Sequence, residues 1–529
     1  MQRMLLVLVV MTLAVMIPLS ALASEEVQFT SGVASGEVTA QTVVLWTRVD
    51  QPAVVVAQVA RDPDFRHLVQ LLPAVAQAQT DFTVRVRVHA LRPNTHYFYR
   101  FVAVSLSQKP FQLPGSATGT FRSAPAPHQA RDVRFAFSGD SEAVFQPFEV
   151  LQTIQQEAPD FFVYLGDTIY PDNDSAAGNV ERVAPAESLA VYRAKYRENR
   201  TDRALQQLLA AVPLYAIWDD HEVLNDFAGE TVDRTLYNHG RQAFLEYMPV
   251  APQDVPAEAP CAAAPLFRVF HWGSAVQLIV LDERSCRSAD VAEMCLNDPA
   301  PTLPPNIRIQ LRLDAAPPVG CLEALFDPAR TMLGMRQKEQ FKKVLVESTA
   351  RFKFVINEVP IQQFFGQPYD RWEGYAAERQ ELLEFIHEHH LEHVIFLTTD
   401  THANLMNNVF VDRFAAPEPV AYEVVTGPIG HTTLQQDILA AQGPQGVAGF
   451  QALLTLADVH CRHLDVLSYG SVEVDAKAGT ATIRLKDATG AVVQDQVTGV
   501  PCSKDDWPLA GRRQPTVRFR PRHPNHIVL

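Results

Sequence analysis

Four times along this chain a short hydrophobic run ends and acidic or imidazole groups follow at once. Arg134-Phe-Ala-Phe-Ser138 leads into Gly139-Asp140, and Asp160-Phe-Phe-Val-Tyr-Leu165 into Gly166-Asp167. Pro213-Leu-Tyr-Ala-Ile-Trp218 leads into Asp219-Asp220-His221-Glu222, and His393-Val-Ile-Phe-Leu397 reaches Asp400-Thr401-His402. Runs of this length and composition read as buried strands. In open α/β sheets, ligands collect outside the carboxyl ends of such strands. Taken singly, a Gly-Asp after a strand is a turn or a helix cap; the recurrence is what points to a site. Converging, the four ends would crowd carboxylates and the imidazoles of His221 and His402 into one crevice. Carboxylates at that density repel one another, and metal cations are the natural remedy. An oxygen-rich set with a minority of histidine suits hard or borderline ions such as Fe, Mn, Ca or Mg.

Helical patterns separate these runs, around 148–156, 186–210 and 379–389, and Val276–Leu281 and Phe352–Ile356 add further strands. The alternation predicts a layered α/β domain over residues 131–488. Residues 25–123 look different. Val43-Val-Leu-Trp-Thr-Arg-Val49 is β-prone, Phe82–Val88 alternates apolar and polar, and Leu91-Arg-Pro-Asn-Thr-His-Tyr97 has the form of a tyrosine corner. This segment is expected to be a small all-β fibronectin/Ig-like sandwich, with Ser123-Ala-Pro-Ala-Pro127 as linker. Residues 296–330 are Pro-rich and read as an inserted loop. Near the end, Gly470–Asp475 and Ala481–Leu485 are strands, with Gly479-Thr480 at the turn between them. Residues 489–529 form a tail whose Arg512, Arg513, Arg518, Arg520 and Arg522 make it basic.

The formal net charge of −15 argues against a nucleic-acid binder, which needs a basic face. It does not oppose phosphate binding at a metal, because the ion brings its own positive charge. Residues 1–23 read as an export signal: Arg3, the apolar run Met4–Leu19, then Ala21-Leu-Ala23 as a cleavage site. The alternative is a retained anchor, for which the run is short. No later stretch is apolar enough to span a bilayer, so a secreted or periplasmic protein is expected. Six cysteines in an oxidising compartment suggest disulfides, with Cys286–Cys295 the shortest plausible loop. The lack of any Cys-x-x-Cys spacing argues against a zinc thiolate site.

Tyr164-Leu-Gly-Asp167-Thr-Ile-Tyr170, Trp218-Asp-Asp-His-Glu222 and Thr399-Asp400-Thr-His402 resemble the PhoD-like alkaline phosphatase family within the calcineurin-like metallophosphoesterases. Ser31-Gly-Val-Ala-Ser-Gly36 with Val44-Leu-Trp-Thr-Arg48 resembles that family's opening domain. Leu281-Asp-Glu-Arg284 with Arg287, Phe354-Val-Ile-Asn357-Glu-Val-Pro360, and Asp370-Arg-Trp372-Glu-Gly-Tyr375 with Arg379 also match. The resemblance implies a four-layer metallophosphoesterase-type β-sandwich flanked by helices, behind the small β domain. It implies hydrolysis of phosphomono- or phosphodiesters at a binuclear or multinuclear site, with Fe and Ca as its ions. Asp140, Asp167, Tyr170, Asp220, Asn357, Asp400 and His402 would be the metal ligands, the Tyr170 phenolate favouring Fe(III). The chain departs from the family at Gly139-Asp140, where PhoD-like proteins usually carry Ser-Cys. With no cysteine there, Fe/Ca, Fe/Zn and Mn pairs all stay open.

The expected chemistry is metal-assisted hydrolysis of a phosphate ester. His221 is the candidate for giving a proton to the leaving oxygen or for orienting the phosphate, the alternative being a supporting bond to the ligand Asp220. Arg284 and Arg287 are candidate phosphate clamps, with structural salt bridges as the alternative. Trp372 and Tyr375 either line the entrance or pack in the core. A serine hydrolase is disfavoured, since no Gly-x-Ser-x-Gly sits at a strand–helix turn. A non-catalytic exported binding protein with a degenerate metal site is the rival reading. The sequence carries no sign of oligomeric state.

Overall fold

The computed structural model describes residues 26–104, 114–171, 188–251 and 266–505. The expected export signal, Cys261 and the arginines of the basic tail lie outside the described residues.

Strands β8 (Val133–Ser138), β9 (Phe161–Tyr164) and β10 (Leu214–Ala216) run parallel, side by side. Beyond β8 the sheet continues antiparallel with β18 (Ser468–Asp475), β19 (Thr480–Asp487) and the two-residue β20 (Ser503–Lys504). Beyond β10 it continues with β1 (Phe29–Gly36), β2 (Val43–Val49) and β5 (Thr83–Val88), giving the nine-stranded order β20-β19-β18-β8-β9-β10-β1-β2-β5. The second sheet is built from β11 (Arg268–Trp272), β12 (Val276–Val280), β13 (Phe352–Ile356), β14 (Val394–Thr398), β15 (Asn404–Asp412), β16 (Ala416–Val425) and β17 (Val459–His463). Its order is β11-β12-β13-β14-β16-β15-β17. A four-stranded sheet joins β3 (Ala53–Ala60), β4 (Leu68–Ala76), β6 (His96–Val104) and β7 (Gly119–Arg122) in the order β4-β3-β6-β7.

The parallel strands are buried along nearly their whole length, which is why their sequences are continuous apolar runs rather than alternations. The two large sheets face each other. Phe135 meets Phe354 edge-on at 5.0 Å, Phe161 lies 4.8 Å from Trp272, and Tyr215 lies 4.7 Å from Phe270. Helices cover the outer faces. Arg203–Ala211 packs Leu205, Leu208 and Leu209 on the first sheet, and Ala376–Glu388 packs Leu382, Leu383 and Ile386 on the second. The layered α/β expectation is met.

The tyrosine corner is formed: the Tyr97 hydroxyl accepts the Arg92 N–H at 2.9 Å. The N-terminal strands, however, are shared between two sheets. β1, β2 and β5 hydrogen-bond onward from β10, with Gly36 paired to Leu214. Trp46 Nε1 donates to the Glu246 carbonyl at 2.7 Å, and Arg268 pairs with Glu37 at 2.5 Å.

The disulfide expectation is corrected. Cys295 bonds Cys321, not Cys286, and Cys461 bonds Cys502. The cause is local packing: Val291, Cys295, Cys321, Leu325 and Tyr369 form one small apolar cluster. Cys286 packs instead beside Gly334. The 296–330 segment holds two short helices, Pro305–Gln310 and Cys321–Leu325, and the buried Arg308 pairs with Asp298 at 2.6 Å. It is a folded insertion, not a structureless loop. The helix Leu434–Leu456 was not legible in sequence because Gly443, Pro444, Gly446 and Gly449 interrupt the helical signal. Its backbone does depart from helical geometry at Gly443, and its start is fixed by a capping box between Thr433 and Gln436.

Candidate metal centre

Three of the four strands that aim carboxylates into the crevice, those before Asp140, Asp167 and Asp400, end in the same way. Asp140, Asp167, Asp400 and His402 take positive φ values of 59°, 48°, 71° and 51°. The left-handed region is uncommon for residues other than glycine, although aspartate tolerates it through local hydrogen bonds. Four such residues at one place mark a backbone bent to aim side chains at a common point. Two glycines make room for it. A side chain on Gly166 (φ 105°) would strike Asp219 Cβ at 2.6 Å, and one on Gly427 (φ 109°) would strike Asp140 Oδ2 at 2.5 Å.

The convergence expected from sequence is present. Ligand atoms of Asp140, Asp167 and His402 lie within 4.8 Å of one another. So do those of Asp167, Asp220 and His221, and those of Asp219, Asp220 and Asp400. The Tyr170 hydroxyl donates to Asp167 Oδ2 at 2.9 Å and lies 3.2 Å from His402 Nε2. The Thr399 hydroxyl donates to Asp140. The His221 backbone N–H donates to Asp220 Oδ1 at 3.0 Å and Asp167 Oδ1 at 3.3 Å, and its ring centre lies 4.3 Å from that of Tyr170. Asn357 sits at the end of β13 with its amide already engaged. Its nitrogen donates to the Val359 carbonyl and to Thr398, and its oxygen accepts Trp372 Nε1 at 3.2 Å.

Burial pushes Asp140 up to about 7. Burial, followed by neighbouring carboxylates, raises Asp167 and Asp400 well above the usual range. At Asp219 burial also prevails, with Arg284 opposing it. At Asp220 burial is outweighed by Arg284, His221 and the Asp226 N–H, which hold it below the usual carboxylate range. Burial holds His402 down to about 4, so it is neutral at pH 7 and keeps a lone pair. Two buried oxygens, Asp140 Oδ1 and Asp219 Oδ2, have no hydrogen-bond partner. Like charges held this close, with orphaned acceptors among them, are a donor set that fits cations of the oxygen-seeking kind.

The two arginines do not stand ready as phosphate clamps. Arg284 is fully buried: its Nε donates to Asp219 at 2.6 Å and its two terminal nitrogens to Asp370 at 2.8 and 3.0 Å. Arg287 pairs with Asp370 at 2.5 Å and donates to the Tyr375 hydroxyl at 2.8 Å. Both guanidinium groups are committed to holding carboxylates. Trp372 and Tyr375 are likewise buried and line no entrance.

Two residues near the site were given no role by the sequence. Glu222 is buried, and its carboxylate accepts the N–H groups of Asp167 at 3.2 Å, Thr168 at 2.6 Å and Asp219 at 2.7 Å. It ties the turn after β9 to the turn after β10. His431 lies with its ring centre 4.4 Å from those of both Tyr170 and His402, and its Nε2 is 3.4 Å from Glu142. It follows Gly427-Pro-Ile-Gly430, not a strand end of the recurring type, so no acidic signal flagged it.

The site opens into a cleft of about 790 Å³. Its lining combines Asp167, Asp220, His221, Asp400 and His402 with Leu311, Leu313, Ile438, Phe450 and Leu453.

The family model for the PhoD-like phosphatase matches residues 135–485, and that for the N-terminal domain of PhoD-like phosphatases matches residues 16–125. Alkaline phosphatase D of Bacillus subtilis (strain 168) is 29% identical over 417 residues. That match takes in 73% of this chain and 66% of the relative, just under two thirds of its length. The solved "Structure of PhoD" superposes with a TM-score of 0.68 at 24% identity, covering 89% of this chain and 94% of that one. Purple acid phosphatase PPD1 from yellow lupin (Lupinus luteus) seeds gives 0.51 at 11% identity, covering 88% and 72%. These two likenesses concern the fold.

Proposed function

We propose that this chain, which belongs to the PhoD-like phosphatase family, hydrolyses phosphoric mono- or diesters in the acidic cleft with a binuclear or multinuclear metal centre. The observation that carries this reading is the set of three overlapping groups of ligand atoms, each within 4.8 Å, shared through Asp167 and Asp220. Asp140, Asp167, Tyr170 and His402 would hold one cation, and Asp167, Asp220 and Asp400 another. Asn357 could join them, since an amide oxygen has two lone pairs and Trp372 uses one. Fe and Ca fit this oxygen-rich set, with Zn and Mn as alternatives, and the phenol of Tyr170 favours Fe(III). When bound, such ions supply Lewis-acid charge and lower the pKa of the attacking water.

The chain's own groups do the rest. Thr399 fixes the Asp140 carboxylate, Glu222 fixes the Asp167 and Asp219 turns, and Arg284 holds Asp219 against Asp370. The water oxygen bonds to phosphorus, the phosphorus–oxygen bond to the leaving group breaks, and the departing oxygen takes a proton. His221, half-buried in the cleft lining with its ring centre 4.3 Å from that of Tyr170, would give that proton. The reading includes export, with residues 25–123 as an N-terminal β unit and 131–488 as the phosphatase unit. The disulfides Cys295–Cys321 and Cys461–Cys502 support an oxidising compartment.

The test is elemental analysis of the purified chain combined with turnover of p-nitrophenyl phosphate and its bis ester. Metal-dependent release of p-nitrophenol is expected, lost on chelation and restored by metal. Turnover indifferent to a chelator, or a fully loaded protein that hydrolyses neither ester, overturns the proposal.

A further inference from the structure

We infer that Asn199 is a positioning residue for the candidate metal centre, its side-chain amide fastening together the two turns that carry Asp140 and Asp167; this rests on the metal-dependent reading above. The two turns lie side by side. The Asp140 N–H donates to the Gly166 carbonyl at 3.3 Å, and the Ser141 N–H to the Asp167 carbonyl at 2.9 Å. The carbonyls of Ser141 and Thr168, each one residue past a candidate ligand, are served by a single group. Asn199 Nδ2 donates to the first at 2.9 Å and to the second at 2.6 Å. All three residues are buried, and among the described residues those carbonyls have no other donor. An asparagine nitrogen offers two N–H bonds without a charge, so it bridges two acceptors beside a set of carboxylates and adds nothing to the field around them. Glu222 takes the N–H groups of Asp167 and Thr168, so the two side chains divide the donors and acceptors of one turn between them.

Asp140 and Asp167 both hold left-handed backbone, which persists only where the surroundings over-determine it. Without the bridge, two buried acceptors would go unpaired, a state folded backbones avoid. The turns would shift toward other donors and carry the carboxylates with them. Asn199 can hold the turns because it is itself held. It is the last residue of the helix Leu189–Asn199. On the same helix Arg197 pairs with Asp81 at 2.5 Å, and Arg193 pairs with Glu246 and donates to the Gln79 carbonyl, each at 2.6 Å. The group most exposed to loss of the bridge is Asp140, Asp167 and His402. The group of Asp219, Asp220 and Asp400 has a separate support in Arg284, which holds Asp219.

The experiment compares the full chain with three variants. Asn199→Asp keeps the shape and removes the two donors, and Asn199→Ala removes the amide outright. Leu208→Ala empties a core position on the helix Arg203–Ala211 and touches neither turn. The probe is Mn2+ titrated into the metal-free proteins, with the unbound ion counted by its EPR signal. Both Asn199 variants should lose about 10- to 100-fold in Mn2+ affinity, the range typical when a partner that orients ligands is removed. Leu208→Ala, destabilised in the metal-free state, should keep the affinity of the unmodified chain. Amide hydrogen exchange in the metal-free state should quicken at residues 140–142 and 167–169 in the Asn199 variants alone. Asn199 variants that do not fold, or that bind Mn2+ as the unmodified chain does, overturn the inference, since Asn199 would then serve the fold and nothing more. An unmodified chain that takes up no Mn2+ overturns this inference and the metal reading together. One that takes it up and hydrolyses neither p-nitrophenyl ester overturns the catalytic reading alone, while the affinity comparison still decides the role of Asn199.

Discussion

Asp167 is the residue on which the site depends most, since its carboxylate belongs to two of the three ligand groups and receives the Tyr170 hydroxyl. Asp167→Asn should abolish turnover and reduce the metal retained after gel filtration, while circular dichroism stays native. Glu222→Gln keeps shape and removes charge from the carboxylate that ties two ligand turns together. It should weaken metal affinity or activity by about 10- to 100-fold, the usual effect of a group that orients ligands without touching the metal. Arg284→Met tests the corrected role of this arginine. Leaving Asp219 buried without its cation should cost about 3–5 kcal/mol in denaturant unfolding of the metal-free protein; a phosphate clamp would instead raise KM and leave stability alone. The acidic candidate ligands were legible because each follows a strand whose apolar run announces it. The role of Arg284 was not, because ion pair and phosphate clamp use the same side chain and only burial separates them. His431 was invisible because a histidine in a Gly-Pro turn has no periodic context.

Among the elements, one device recurs: a buried glutamate from one segment accepts successive backbone N–H groups of another. Glu222 does so for Asp167 and Thr168, Glu283 for Glu358 and Val359, Glu373 for Phe364 and Phe365, and Glu423 for Ile361 and Gln362. Loops that leave the sheets would otherwise carry unpaired donors into the interior, at a cost comparable to a lost hydrogen bond. Strand positions were readable from apolar runs alone, and β2, β9 and β13 fall within a residue or two of the sequence reading. These clamps were not, because nothing local distinguishes a glutamate that will be buried. The insertion was misread for a related reason. Its order comes from Arg308 with Asp298 and from the Cys295–Cys321 bond, not from apolar periodicity. Replacing both cysteines by serine should cost about 2–4 kcal/mol, measured by urea unfolding.

For the molecule as a whole, metal binding at the proposed site would be coupled to acidity through the buried carboxylates. Asp140 titrates near 7 when folded, against an ordinary 3.8, so between those values the metal-free folded state holds a proton that the unfolded chain has released. Stability of the metal-free protein therefore falls as pH rises through that window. Cations replace the proton, so the gain in Tm on adding metal should grow from pH 5 to pH 8; a pH-independent gain would show that Asp140 is not a ligand. The large-scale layering was legible from the alternation of strands and helices. The sharing of one sheet between the N-terminal strands and the phosphatase unit was not, since pairing between distant edges leaves no mark in either segment. That continuity bears on how the protein can be dissected. Cutting away the first hundred residues would strip β10 of its neighbour and leave a raw border of unpaired amides and carbonyls. A truncated preparation should then polymerise edge to edge, and its lost activity would say nothing about what the missing strands contribute to chemistry.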